Sequence, residues 1–235
     1  MFQPGSNSIS EGMLTANYSL VPISYAEPAY ATIGGCNGAT KRVFDFVGSL
    51  VLLVFAALIM AAIAVAIRCD SPGSILFRQR RIGFGNASFQ ILKFRTMYEE
   101  PAATGAIRQA ARNDPRKTRV GAFLRKWSLD ELPQLFNVLN GEMSLVGPRP
   151  HAPGTCAGGK PFEKVTPYYS RRHRVRPGIT GLAQIRGQRG GTKTEDELLR
   201  RVASDLEYIE NWSFWLDLTI LVRTVKSVAG KRNAY

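Results

Sequence analysis

Acidic residues are scarce in this chain: 18 Asp and Glu stand against 31 Lys and Arg, a formal charge of +13 over 235 residues. A surplus of that size favours an anionic partner, whether nucleic acid, a lipid headgroup surface or a phosphate-bearing substrate. Composition does not choose among the three. Cysteine is rarer still. Cys36, Cys69 and Cys156 spell no CxxC and no metal-ligand spacing, and an odd count argues against a disulfide framework. They read as reduced thiols in a cytoplasmic compartment. The two histidines, His151 and His173, stand alone in the sequence, which argues against a metal role. A secretory leader is missing as well, since Met1–Glu11 has neither a basic n-region nor an apolar h-region. Residues 1–40 are small, polar and rich in Gly, Ser, Ala and Pro, and read as a disordered tail. No internal repeat or heptad array is present.

Hydrophobic residues make up 45% of the chain, enough for a sizeable core. Their densest run follows Lys41-Arg42. From Phe46 to Ile67 no residue is charged, a length sufficient to cross a bilayer core of roughly 30 Å as a helix. Residues 41–70 therefore read as a membrane helix and 71–235 as a cytoplasmic domain. Lys41 and Arg42 precede the run, and Arg68, Arg78, Arg80 and Arg81 follow it. Clusters of Lys and Arg stay cytoplasmic, so basic flanks on both sides favour a helix that enters and turns back. A full span with the more basic C-terminal flank inside is the alternative.

The rest reads as α/β, mostly α. Ser74–Gln79 and Ser88–Phe94 form short β-rich runs around Ile82-Gly-Phe-Gly-Asn86, the pattern of a hairpin. Met97–Thr118 reads as helix plus loop, Arg119–Arg125 and Leu132–Leu139 as helices, and His151–Thr166 as a loop punctuated by Gly and Pro. Glu195–Glu210 is an amphipathic helix. A last helix, from about Ser213 to Val228, carries Trp212, Phe214 and Trp215 beside Arg223 and Lys226, which suits either a membrane interface or the protein core. Tyr168–Arg174 is a basic, aromatic run that reads as a surface helix end near lipid headgroups.

Ser128-Leu-Asp-Glu131 spells a capping box, with Ser128 as N-cap and Glu131 as its reciprocal partner. Asp130 then falls in the first turn, where the helix dipole favours negative charge. Arg125 and Lys126 lie just upstream, Lys93 and Arg95 end the second strand, and Gly147-Pro-Arg-Pro150 presents Arg149 on a stiff loop. Adjacent carboxylates among such cations suit a diphosphate and a divalent metal. One carboxylate can attack phosphorus while the other holds Mg²⁺.

Four ordered motifs carry a resemblance over roughly Lys41 to the C-terminus. They are Lys93-Phe-Arg-Thr-Met97, Ser128-Leu-Asp-Glu-Leu-Pro-Gln-Leu-Phe-Asn-Val-Leu139, Gly141-Glu-Met-Ser-Leu-Val-Gly-Pro-Arg-Pro150 and Val175-Arg-Pro-Gly-Ile-Thr-Gly-Leu-Ala-Gln-Ile185. Together they resemble the bacterial sugar transferases, the monotopic polyprenyl-phosphate phosphoglycosyl transferases. The resemblance implies transfer of a sugar-1-phosphate from a UDP-sugar to polyprenyl phosphate, with release of UMP. It implies Asp130 as the nucleophile of a covalent phosphosugar intermediate, Glu131 as the residue associated with Mg²⁺, and Arg125 and Arg149 as phosphate contacts beside Lys93 and Arg95. It also implies a re-entrant N-terminal membrane helix, amphipathic interfacial helices and a small α/β catalytic core at the inner membrane. One departure stands out: where family members often carry Ser-Pro in mid-helix, this chain reads Phe55-Ala-Ala-Leu-Ile59. Leu206–Leu218 resembles the glucose phosphotransferases of exopolysaccharide synthesis, so glucose is favoured slightly over galactose. The chain looks like the catalytic unit alone, without the multi-span domain of larger members.

Expected partners are thus a UDP-sugar, polyprenyl phosphate and membrane lipids, with a homo-oligomer left open. Nucleic acid is not expected, because no recognised binding motif accompanies the charge. A non-catalytic membrane scaffold of a polysaccharide assembly is the competing class.

Overall fold

The computed structural model describes residues 35–98 and 114–230. The expected tail lies outside the described residues up to residue 34, as does most of Met97–Thr118. Within the span expected as tail, Gly35–Asn37 form a turn, the Cys36 thiol reaches the Ile209 carbonyl, and Asn37 donates to the Arg174 carbonyl.

Helix α1, Ala39–Asp70, is continuous for 32 residues, about 48 Å at the α-helical rise. Without a proline to remove a hydrogen bond, Phe55–Ile59 stays helical, and the break that the resemblance implies is not seen. Its buried positions, Lys41, Asp45, Ser49, Ala56, Ile63 and Ile67, recur at spacings of four and seven and so share one face. That face follows the protein core from end to end. Phe44 and Leu53 pack on a cluster built from Leu135, Val138 and Leu145. Ile63 and Ile67 pack with Phe94 and Leu124. The opposite face is bare, with Phe55 78% and Leu58 85% exposed.

Strands β1 (Leu76–Ile82) and β2 (Ser88–Phe94) form the expected antiparallel hairpin, with Phe77 opposite Lys93 and Arg81 opposite Phe89. Helix α2 (Arg119–Lys126) leads through a 3-10 turn, Leu129–Glu131, into α3 (Gln134–Leu139). Asn137 fixes α3 to the hairpin, accepting from the Leu92 amide and donating to the Gln90 carbonyl. Strand β3 (Ser144–Val146) pairs in parallel with β6 (Gly178–Thr180). Between them the expected loop contains a small hairpin, β4 (Cys156–Ala157) with β5 (Lys160–Pro161), and one turn of helix, α4 (Phe162–Val165). A short α5 (Leu182–Ile185) precedes α6 (Glu195–Glu210) and α7 (Phe214–Ala229). The α6 capping box is real: Thr194 accepts from the Glu197 amide and Glu197 reaches back to the Thr194 amide.

The two basic residues in the first turn of α1 are bound within the protein. Lys41 is buried between Asp45 and Asp217, 2.8 Å from each. Arg42 donates to the carbonyls of Val138 and Leu139, at the unpaired C-terminal end of α3. α7 divides its faces between the two readings of its sequence. Asp217 and Ile220 are buried, whereas Trp215, Val222 and Val225 are exposed.

Candidate active site

The capping box expected at Ser128 does not form. Ser128 takes a left-handed backbone with φ 55°, its side chain makes no capping bond, and the helical turn behind it is three residues long. Glu131 is drawn elsewhere. Its Oε1 lies 2.8 Å from Lys93 Nζ and 2.6 Å from an Arg149 amino group. Ion pairing with two cations outcompetes one neutral amide for the same carboxylate.

Arg149 reaches Glu131 from the loop after β3. That loop crosses the segment before β6 at glycine distance. A Cβ at Gly147 would lie 2.5 Å from the Arg176 carbonyl oxygen, and one at Gly178 would lie 2.1 Å from the Gly147 nitrogen. The Gly147-Pro-Arg-Pro and Val175-Arg-Pro-Gly motifs are thus two halves of one crossing. Arg172 holds the loop from behind, donating to the Arg149 carbonyl at 2.7 Å while paired with Asp205 of α6 at 2.7 Å.

Asp130 is treated differently from its neighbour. It is 9% exposed, and among the described residues no hydrogen bond or ion pair reaches its carboxylate. Burial pushes its pKa up, against the pull of Lys93, Arg125 and Arg149. Burial also opposes the charge on Glu131, but Arg149 and Lys93 outweigh it and hold that carboxyl well below the usual range. Two adjacent acids are thereby set apart: one clamped as an anion, one basic and unbonded.

Asp130 lines a cavity of about 1200 Å³. Nine arginines and Lys93 share its wall, and Asp130 is the one carboxylate among its lining residues. Such a space takes an anion the size of a sugar nucleotide. Lys93, Arg125 and Arg149 are all there. Arg95 lines the cavity too, but its guanidinium donates to the carbonyls of Pro72 and Ser71 and to the Ser71 hydroxyl, so it anchors the end of α1.

Sequence reasoning missed Arg81 and Arg172. Cross-strand partners share a face, so Arg81, four residues along from Phe77 and on the same face, lies on the Lys93 side of the hairpin. Burial and the neighbouring Arg149 lower its pKa to about 10. Period-two reading of the strand could have found it. Arg172 and His173, expected near headgroups, are buried. Nor are the histidines isolated in space: their rings stack at 5.5 Å, and both lie beside Tyr169. Burial and the adjacent Arg172 lower both to about 3.

No group of three or more His, Cys, Asp or Glu able to hold a metal occurs among the described residues. Mg²⁺ needs fewer. It binds one or two carboxylates and completes its shell with water and substrate phosphate. The dyad is a donor set of that size, although Glu131 must loosen its hold on Lys93 or Arg149 to take part.

Comparison with known proteins decides the family. The bacterial sugar transferase profile matches residues 36–231. The chain belongs to the bacterial sugar transferase family. This bacterial sugar transferase is 53% identical over 195 residues to an undecaprenyl-phosphate glucose phosphotransferase of Komagataeibacter xylinus, covering 83% of the chain and 37% of that relative. It is 50% identical over 195 residues to a UDP-glucose:undecaprenyl-phosphate glucose-1-phosphate transferase of Caulobacter vibrioides, covering 83% of the chain and 72% of the relative. An exopolysaccharide production protein of Rhizobium leguminosarum bv. phaseoli is 46% identical over 187 residues, 80% of the chain and 94% of that protein. The transferase thus spans little more than a third of the first of these relatives and most of the other two.

Exchanging Arg149 for Lys keeps the charge but loses the planar fork that meets Glu131. Arg149→Lys is expected to lower turnover on the order of tenfold or more, roughly 1.4 kcal/mol. Initial rates of nucleotide release measure it, and an unchanged rate would remove Arg149 from the site.

Proposed function

We propose that this chain transfers glucose-1-phosphate from UDP-glucose to polyprenyl phosphate at the inner face of the cytoplasmic membrane, the first step of an exopolysaccharide. The observation that carries the chemistry is the unbonded, buried Asp130 in a cavity walled by ten cations. The names of the relatives support the substrates. An Asp130 oxygen bonds to the β-phosphorus, the bond from that phosphorus to the bridging oxygen breaks, and UMP departs with the electron pair. A phosphate oxygen of the lipid then attacks the same phosphorus and Asp130 leaves as carboxylate. Lys93, Arg125 and Arg149 balance the charge of the diphosphate. Glu131 would hold Mg²⁺, which when bound neutralises phosphate charge as a Lewis acid. The test is a panel of UDP-sugars with polyprenyl phosphate, read as UMP release. UDP-glucose should be the preferred donor, and no release from any of them would end the proposal.

Both ends of α1 belong on one side of the membrane. Its N-terminal half packs on α3 and its C-terminal half on α2 and β2, and α3 is itself bonded to β2. A perpendicular span would carry the hairpin and its arginines through hydrocarbon, where loop backbone and charge are not tolerated. The helix instead lies along the domain with its Phe55 and Leu58 face in lipid. Cysteines engineered at Thr40 and Ser74, exposed at the two ends of α1, should both resist an impermeant thiol reagent in intact cells, in a background lacking the native thiols. Labelling of one from the periplasm would restore the full span.

A further inference from the structure

The cavity is larger than one phosphate needs, and its two ends differ in chemistry. One end adjoins α1. Ile75 and Leu76 line it and pack in the cluster that holds Ile63 and Ile67. Phe77 and Tyr98 line it too, and both are exposed. The other end is formed by Thr155, Arg189, Gly190, Gly191, Thr192 and Arg201. It is shaped by a different cluster, Ala157, Phe162, Tyr169, Leu198 and Val202, which contains no residue of α1. Contacts join the ends through the dyad. Phe77 pairs with Lys93 on the hairpin; Lys93 and Arg149 meet on Glu131; Arg172 links the Arg149 carbonyl to Asp205 of α6.

The far end is polar and shaped in advance. Arg201 donates to the carbonyls of Gln188 and Gly190, fixing the loop. The Lys193 carbonyl accepts from the Gly158 amide, fixing the segment after it. Thr192 is buried, and its hydroxyl has no hydrogen-bond partner among the described residues. A buried hydroxyl left unpaired is costly, and a turn of the Thr192 side chain into the cavity that it lines would let a polyhydroxylated ligand satisfy it. The near end offers aromatic and aliphatic surface beside the lipid-facing helix, with Arg116 next to Tyr98 on the same wall, which suits an isoprenoid chain and its phosphate.

We propose that Thr155, the Arg189–Thr192 segment and Arg201 form the subsite for the sugar–nucleoside part of the donor, and that the Phe77–Tyr98 end admits the lipid phosphate. This assignment rests on the proposed function and adds to it which residues serve which half of the reaction. The donor reaches Asp130 from the α6 side and the acceptor from the α1 side, so each half can be damaged alone.

The experiment separates the halves. The first is UMP release and covalent labelling of the protein by UDP-glucose with Mg²⁺ and no lipid. The second is discharge of the preformed adduct by added polyprenyl phosphate. Thr192→Val should slow the first about tenfold and leave the second within twofold. Tyr98→Ala combined with Phe77→Ser should do the reverse. Arg189→Gln, at a more exposed position, repeats the donor-end test if Thr192→Val melts early. Should both sets slow the same half, or Thr192→Val slow discharge alone, the assignment is overturned. If wild-type protein forms no adduct, the covalent mechanism fails by itself. Equilibrium binding of UDP-glucose then judges the subsite: it stands if Thr192→Val and Arg189→Gln weaken binding and the Phe77/Tyr98 variant does not, and it falls if they bind as wild type.

Discussion

Asp130→Asn is expected to abolish the sugar-phosphate adduct and to lower turnover by roughly a thousandfold or more, equivalent to about 4 kcal/mol of transition-state stabilisation. The carboxamide nearly matches the carboxylate in size and shape but has no charge to bring to phosphorus. The substitution should not harm the fold. Among the described residues no hydrogen bond or ion pair depends on the Asp130 side chain. Its pKa is raised by burial, and the sign follows: an acid with a folded pKa above its unfolded value disfavours folding at neutral pH. Removing that charge should leave the melting temperature unchanged or higher. A group that is costly to the fold and indispensable to turnover is the signature of a catalytic residue. Glu131→Gln should behave in the opposite way. It leaves Lys93 and Arg149 without their shared anion, so it should lose stability, slow adduct formation and weaken Mg²⁺ dependence. Intact-protein mass spectrometry with donor, Mg²⁺ and no lipid reads the adduct, and initial rates distinguish ping-pong from a ternary complex. Unaltered adduct formation in Asp130→Asn would move the nucleophile elsewhere. Absence of an adduct in the wild type, together with ternary kinetics, would leave the dyad only a binding role.

Much of this site could be read from sequence because its parts are short, local and chemically unusual. Lys93, Asp130, Glu131 and Arg149 sit in motifs whose glycines and prolines constrain the backbone, and the structure brings all four together. The hairpin, α2, α6 and α7 follow from periodicity and turn residues, which are local signals as well. What escaped the sequence is non-local. Nothing near Arg172 indicates Asp205, 33 positions on, yet the pairing turns an expected headgroup contact into the brace behind Arg149. The Ser128 capping box failed for the same reason. Its pattern is local, but Glu131 is claimed by cations from β2 and from the loop after β3. The histidines looked solitary because the segments that stack them are separated in the chain. Lys41 and Arg42 resembled any basic flank of an apolar helix, since burial beside an acid on α7 leaves no trace in the flank itself.

Lys41→Met is expected to destabilise the protein by about 3–5 kcal/mol, the range for breaking one partner out of a buried ion pair. The side chains of Lys41, Asp45 and Asp217 are 3%, 2% and 0% exposed. One ammonium serves two carboxylates, so its loss leaves two buried anions facing each other. Their remaining donors are few. Asp45 accepts from the Leu145 amide, and Asp217 accepts from the Tyr208 hydroxyl and the Trp212 indole. The damage should spread in two directions. Asp45 and Lys41 join α1 to α7 and β3, so the entry of the lipid-facing helix should loosen. Tyr208 also lies 3.0 Å from the Val146 carbonyl, next to the loop of Arg149, so turnover should fall with stability. A second variant separates charge burial from shape. Lys41→Met with Asp45→Leu and Asp217→Leu removes all three charges, and an apolar replacement of a buried ion cluster is often neutral or stabilising. It should recover a large part of the loss, less the pairing of Tyr208 and Trp212. Guanidinium unfolding in a fixed detergent gives both values from midpoint and slope. A loss below about 1 kcal/mol for Lys41→Met, the scale of an exposed pair, would mean that water reaches Asp45 and Asp217 and that the triad does not hold α1 in place.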